Sequence, residues 1–541
     1  MNYFTSKSRK GSTLAALALG ALGYVSQRVD YTGRLFAQDA EKPVETIAIT
    51  HEDVLSDKAG EKSVKYLKEK GVRIITYKSN VEEAAAKLRE LRPKSILYLD
   101  DAEKFVIGSD LDRAEKAGDL NAVYRVLRGS NSVKVNFLAR SIDPDPFPDA
   151  RVYSLPIPPE KGARDWRTID SVLRAGKVDI KTILCKGGEG ILDLAVEGVG
   201  YAEARTNEDG KLNPEGKVRR LEKKDGKILT SRKDVGVPEL LRLYNKAQAL
   251  FWAGGHGNNG ALSDGGDLYP ALQGGWNYQD SDVFVFENSK LVASGVGESI
   301  TIDSSKPKAV IFPASCQVTR IKNPDRALSL GFMKHASAVL VVGYPFSTFD
   351  GYAGFGLLDR VSYEQPNISD AIMENEIGLE LLKGELSRAR ESLGIRGMTQ
   401  REIKTHFYSG VQLTYGSPLN KLVVVRDPKV EKPLEKTVET KALADGRTEY
   451  IFRLKVRDPE KLRRSPVWVV DKNFKNVKDV KTSTNIVRYG DEKPEEIAYR
   501  IGDNWVWLKT EKIVKEGLKD LVIEPIGVEK GAEFVLSFIA E

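Results

Sequence analysis

Beyond residue 45 the chain alternates apolar runs with amphipathic ones, and this alternation constrains its fold more than any other feature. ETIAIT (45–50), VRIITY (72–77) and SILYLD (95–100) read as strands. Between them GEKSVKYLKEKG (60–71) and VEEAAAKLRELRPK (81–94) read as helices, the first closed by Gly71. Repeated strand–helix–strand units imply a parallel sheet with helices on its faces. The pattern pauses at the proline-rich DPDPFPDARVYSLPIPPEKG (143–162), read as a connection, and resumes with the helix DWRTIDSVLRAG (165–176). Residues 205–234 carry Asp-Gly and Glu-Gly turns between short β-prone pieces and read as an inserted, exposed hairpin. Then follow the helix PELLRLYNK, the strands AQALFWA and KAVIFPASC, the helix RALSLGFMKHA, the strand AVLVVGYPFS and a long helix over 369–394.

The pattern changes near residue 420. EYIFRLKVRD (449–458) sets Tyr450, Phe452, Leu454 and Val456 against Arg453, Lys455 and Arg457, the period of a half-buried strand. ADGRT before it reads as a hairpin turn, and VWVVD, NWVWLK, LVIEP and EFVLSF as further strands. Short strands over about 120 residues fit a small β-sandwich. With 541 residues there is chain enough for several full cores. The expected division is 1–40 as a leader, 41–160 as an N-terminal α/β subdomain, 161–419 as a second α/β subdomain, and 420–541 as the β-sandwich.

In the leader, Lys7, Arg9 and Lys10 precede the apolar run Gly11–Val25. That run suits a secretory signal and is short of the roughly 20 residues of a membrane span. Ala37 and Ala40 offer cleavage points without a clean A-x-A site, so a cleaved signal and a retained anchor both fit. Either places the protein outside the cytoplasm, secreted or at the cell surface, with membrane contact only through this segment if it is uncleaved. The same 40 residues hold five Lys/Arg against two Asp and so carry half of the net charge of +6. The remainder is too weakly basic to argue for a nucleic-acid partner. Two cysteines, Cys185 and Cys316, do not make a disulfide scaffold.

The chemistry concentrates at two strand ends. AQALFWA runs into Gly-Gly-His256-Gly257, and KAVIFPAS runs into Cys316. Sites in open α/β sheets lie beyond the carboxyl ends of the strands. On neighbouring strands, about 4.8 Å apart, an imidazole and a thiol would face one cleft. Cysteine is a strong nucleophile, and a nearby histidine can serve the leaving group's proton. Gly257 lets its N–H approach a substrate carbonyl closely, and with the Cys316 N–H it would hold an oxyanion. Taken singly, Gly-Gly-His-Gly is also a turn and Cys316 also a core thiol; occurring together on consecutive strand ends favours a dyad. The other histidines suggest no zinc site: His51 reads as a surface residue, His335 as a helix C-terminal cap, and His406 has no evident partner. CKGGEG and GVGES lack the phosphate-loop lysine pattern and read as turns. Asp264 and Asp267 in SDGGD are candidate calcium ligands, a turn beside the site being the stronger account; no cofactor is required.

Strand–His-Gly followed by strand–Ala-Ser-Cys resembles the clan CD cysteine peptidases, which include caspases, legumains, clostripain, separase and gingipains. The gingipain-like branch is the most similar, being exported, built of two α/β subdomains and followed by an immunoglobulin-like β domain. HFYSGVQLTYGSPLNKL (406–422) is similar to the close of that family's catalytic region, with Ser417 where an Asp stands. The resemblance covers roughly residues 44–541. It implies a caspase-like three-layer α/β/α sandwich in two subdomains, followed by an immunoglobulin-like β-sandwich. It also implies a cysteine endopeptidase acting on proteins or peptides, with His256 as general acid/base, Cys316 as nucleophile, and Gly257 and Cys316 as oxyanion donors. Gln317 departs from the small residue that often follows the family's cysteine. In VVGYPFSTFDGYAG (341–354), Ser347 and Phe349 would line the S1 wall and Asp350 would meet a basic side chain, with Asp264 and Asp267 as rival pocket acids. The competing reading is a catalytically inactive surface protein that keeps this fold for binding or adhesion.

Overall fold

The computed structural model describes residues 45–138, 150–186, 191–192, 195–203, 218–224, 227–231, 243–252, 261–263, 282–287, 290–295, 298–301, 306–313, 317–346, 352–399, 402–403, 405, 408, 410–485, 498–516 and 520–541. Its centre is a mixed sheet of 12 strands among the described residues. In spatial order they are Lys227–Ser231, Val218–Lys224, Glu197–Glu203, Thr182–Lys186, Ala249–Trp252, Lys308–Ile311, Ala338–Gly343, Leu413–Gly416, Arg151–Ile157, Ser95–Asp101, Thr46–His51 and Arg73–Tyr77. Separate small β-sheets lie both within this stretch of the chain and after it, so the molecule is α/β with additional β structure.

Two parallel blocks make up the sheet. From Thr46–His51 to Arg151–Ile157, four strands stand side by side in the order second, first, third, fourth. Five strands from Thr182–Lys186 to Ala338–Gly343 repeat that order and add a fifth at the end. The blocks meet where Ala338–Gly343 runs antiparallel to Leu413–Gly416, which itself runs parallel to Arg151–Ile157. Their carboxyl ends therefore point to opposite edges of one continuous sheet.

The inner strands are buried and mostly apolar because both faces are covered. Ala249–Trp252, Lys308–Ile311 and Ala338–Gly343 are buried at every position. The expected helices are present as Glu61–Glu69, Trp166–Leu173, Leu328–His335 and Ile368–Ser392, and Gly71 takes the left-handed φ of +76° after the first. One expectation fails. The proline-rich stretch expected to be a connection contains the strand Arg151–Ile157, which lies inside the sheet. Pro156 is tolerated because pairing with Leu413–Gly416 is confined to Tyr415 opposite Ser154, so no ladder bond on that side needs its missing N–H.

The insertion also differs from a free hairpin. Val218–Lys224 and Lys227–Ser231 pair antiparallel, as a hairpin requires, but the first strand also pairs with Glu197–Glu203. The hairpin thereby extends the main sheet, and Lys223, only 2% exposed, forms an ion pair with Asp427 at 3.4 Å.

Past residue 420 the strand Lys421–Val424 still pairs with Lys177–Ile180 of the α/β part. The β region then builds a four-stranded sheet (Leu434–Ala442, Thr448–Val456, Glu533–Ala540, Lys478–Thr484) and a three-stranded one (Val467–Val469, Trp505–Leu508, Tyr499–Ile501). Tyr450, Phe452, Leu454 and Val456 face inward as their period predicts, into one core with Trp468, Val506 and Phe538 from the other strands.

Helix Ile368–Ser392 joins the two regions. Ile368, Ala371 and Leu379 belong to the α/β core, while Met373, Ile377 and Leu381 pack with Val467, Trp505 and Trp507. Beside it, after a π-helical turn at Arg360–Glu364, lies a buried charge cluster. Arg360 and Lys436 each reach Glu364 at 3.1 Å, and Lys436 reaches Glu374 at 2.8 Å. Arg360 also donates to the Ser465 carbonyl, and Lys436 to that of Val467.

Candidate active site

The histidine strand, Ala249–Trp252, and the cysteine strand, Lys308–Ile311, are direct neighbours and run parallel, with Ala249 opposite Ala309, Leu250 opposite Val310 and Phe251 opposite Ile311. They come together although the segment 253–307 separates them in the chain. Within that segment Ala261–Ser263, Asp282–Glu287, Lys290–Gly295 and Glu298–Thr301 form their own antiparallel meander. Lys308, 1% exposed, fixes the start of the cysteine strand. Its ammonium donates to the carbonyls of Tyr244, Asn245 and Ala247 at 3.1, 3.2 and 2.6 Å, just before the histidine strand begins. These carbonyls lie at the end of a helical turn, where the negative end of the helix dipole attracts a cation; that of Tyr244 also accepts from the Ala247 N–H at 3.1 Å.

His256 follows Trp252 by four residues and Cys316 follows Ile311 by five. His256, Gly257 and Cys316 lie outside the described residues, as do Ser347, Phe349, Asp350, Asp264, Asp267 and His406. The described residues around them are tightly held. Phe312 donates its N–H to the Val342 carbonyl at 2.8 Å, prolonging the sheet toward Cys316. Gln317, directly after Cys316, holds a left-handed φ of +53°. Its N–H donates to the Phe346 carbonyl at 3.0 Å and its side-chain amide to Glu115 at 2.9 Å. Tyr344 and Phe346, which lead into the expected S1 wall, are buried against Tyr408.

The other residues weighed in the sequence have structural roles. Cys185, opposite Phe251, is 1% exposed within the core. His335 ends helix Leu328–His335, where a cap was expected. His51 is more enclosed than a surface residue. It caps helix Glu52–Ser56, its Nδ1 accepting from the Asp53 N–H and its Nε2 lying 2.6 Å from the Lys78 carbonyl. Gly295 pairs with Glu298, and the two residues between them, on which the GVGES turn falls, lie outside the described residues.

A second polar cluster went unnoticed in the sequence. It gathers at the carboxyl ends of the first block, at the opposite edge. Asp100, wholly buried, accepts from the His51 N–H, the Asp101 N–H and the Tyr77 hydroxyl, and Tyr77 also touches the Tyr98 hydroxyl. Burial pushes the Asp100 carboxyl above the usual carboxylate range, outweighing the Tyr77 and Asp101 hydrogen bonds. Beside it Arg164 grips Asp101 with two nitrogens at 2.5 and 2.8 Å and reaches Asp57 at 3.3 Å. The signal was present as SILYLDD, a strand ending in two acids, but its partners come from distant segments.

Among the described residues no group of three or more His, Cys, Asp or Glu is placed to hold a metal, and no helix is long and apolar enough to cross a membrane. No family model, curated protein or solved structure matches this chain.

Proposed function

We propose that the protein is an exported cysteine endopeptidase that works through a His256–Cys316 dyad. The observation that carries this reading is the parallel adjacency of the two strands leading into those residues, third and fourth of a block ordered second, first, third, fourth, fifth. It is the arrangement the resemblance to the gingipain-like clan CD peptidases requires, and with it we propose a caspase-like architecture for the α/β part and an immunoglobulin-like one for the β region.

In the proposed reaction the Cys316 thiolate attacks the scissile carbonyl, with the Gly257 and Cys316 N–H groups stabilising the oxyanion. His256 gives a proton to the departing amine, leaving an acyl-enzyme thioester. It then takes a proton from water, whose oxygen attacks the thioester and releases the acid and the thiolate, restoring the starting pair. The Gln317 N–H is committed to the Phe346 carbonyl, which leaves the oxyanion role to the two donors named. Asp350, with Ser347 and Phe349 lining the wall, would select a basic side chain, and Asp264 and Asp267 are the rival acids. Export rests on the basic and apolar residues of the leader.

The test is hydrolysis of fluorogenic peptides with Lys, Arg, Asp, Asn or Leu at P1. Cys316→Ala should abolish turnover and His256→Ala should lower it by about three orders of magnitude or more, with melting temperatures little changed. Full activity in Cys316→Ala would overturn the reading. Asp350→Asn should weaken a basic preference by about 2–5 kcal/mol; a preference for Asp or Leu at P1 would dismiss a basic pocket.

A further inference from the structure

The segment after Cys316 is built as though its backbone must not move. Gln317 occupies a left-handed conformation that non-glycine residues keep only when their surroundings over-determine it. Three contacts do so here. Its N–H is bound to Phe346, its side chain to Glu115 on helix Ser109–Ala117, and its carbonyl accepts from the Arg320 N–H at 3.0 Å to close a turn.

Arg320 anchors that turn from below. It is wholly buried and bonds Asp112 at 2.9 Å and the Gly108 and Ile107 carbonyls at 2.8 and 3.4 Å, with Glu115 at 3.5 Å. Asp112 also takes Lys322 at 2.6 Å; burial opposes its charge, but Lys322 and Arg320 outweigh that and hold its carboxyl below the usual range. The Ile107 N–H donates to the Ile321 carbonyl at 2.9 Å, and the Tyr415 hydroxyl to that of Thr319 at 2.7 Å. Segment 317–322 is thus clamped between the first block's helix and the stretch that enters the expected S1 wall.

We infer that Gln317 is a positioning residue for Cys316, and that the N-terminal α/β region takes part in the site through Glu115 and Asp112. This rests on the Cys-His reading above. The bulk of Gln317, anomalous beside the family pattern, is what allows it to reach Glu115. By fixing the turn after the nucleophile, Gln317 holds the thiol's approach to the substrate and ties it to the wall that seats the P1 side chain.

The experiment uses the full chain. Iodoacetamide alkylation of Cys316 and Cys185 is followed site by site by mass spectrometry, with kcat and KM for the best peptide, in wild type, Gln317→Val, Gln317→Asn and Glu115→Ala. Valine resists a left-handed backbone, whereas asparagine accepts it and keeps an amide. Gln317→Val should slow Cys316 alkylation and kcat together by about ten- to a hundredfold, with KM changed far less. Gln317→Asn should recover most of that loss, and Glu115→Ala should reproduce part of it. Buried Cys185 is the internal control: if it becomes reactive in Gln317→Val, that variant has unfolded and the comparison passes to the other two. Variants within about twofold of wild type at Cys316 would overturn the inference while leaving the dyad standing. A wild-type Cys316 that reacts no faster than Cys185, without hydrolysis, would overturn both.

Discussion

Gly343 shows how far a single residue determines the candidate site. It ends the Ala338–Gly343 strand, and a Cβ built on it would lie 2.6 Å from a Val318 methyl and 3.1 Å from one of Thr319. Those residues belong to the clamped turn after Cys316, so the glycine is needed for close approach rather than for its own φ. Gly343→Ala should cost about 1–3 kcal/mol, since the turn must give way in a packed core. Urea denaturation gives the stability, and Cys316 alkylation should slow in parallel because the displaced residues follow the proposed nucleophile directly in the chain. Neither requirement is visible in AVLVVG, where the glycine reads only as a strand end. Gln317 was conspicuous in the sequence for its size, but its left-handed backbone and its bond to Glu115, 202 residues away, are tertiary facts. The Asp100 cluster is similar: the acids were legible and their partners were not.

At the scale of elements, hydrophobic period identified strands and helices well where one face is wet. The alternation from Tyr450 to Val456 is reproduced residue for residue in burial. It failed at Arg151–Ile157, where flanking prolines masked a buried strand, and at the insertion, where turn chemistry gave the hairpin but not its attachment. That attachment bears on processing. Residues 205–234 read as an exposed hairpin, and exposure would open the Lys/Arg-rich KVRRLEKKDGK to nicking, yet Val218–Lys224 is paired on both sides and Lys223 is buried. A protease needs an extended backbone free of such pairing. Native trypsin digestion should therefore leave the bonds after Arg219, Arg220, Lys223 and Lys224 intact until the protein unfolds, with peptide mapping as the readout. Rapid cleavage at those bonds in the folded protein would show that the hairpin detaches.

For the whole molecule, the charge cluster at Arg360, Glu364, Glu374 and Lys436 makes the β region integral to the α/β region. Removing Lys436, which bridges both acids, leaves the buried Glu374 without this ion pair and Glu364 with Arg360. Lys436→Met should cost about 3–5 kcal/mol, whereas Glu374→Gln should cost about 1 kcal/mol or less. Burial raises the Glu374 carboxyl from 4.5 to about 7, against the pull of Lys436. The folded state therefore binds this proton more tightly than the unfolded one. Its contribution is full below about pH 4.5 and is lost as the pH rises through about 7. Wild type should lose stability relative to Glu374→Gln across that window, as read from urea midpoints at several pH values; parallel curves would refute the buried-acid account.

The sequence by itself determined the kinds of element and the parallel character of each block, and it nominated His256 and Cys316 as candidates for covalent chemistry. Those properties depend on side-chain period and turn residues over a few positions, which the local backbone enforces. Only the tertiary structure decided that the histidine and cysteine strands are neighbours, that two blocks fuse antiparallel into one sheet, and that Lys308, Arg320 and Lys436 are buried cations with partners. Sheet order and the pairing of buried charge depend on contacts between segments tens to hundreds of residues apart, and no local pattern records which distant segment will arrive.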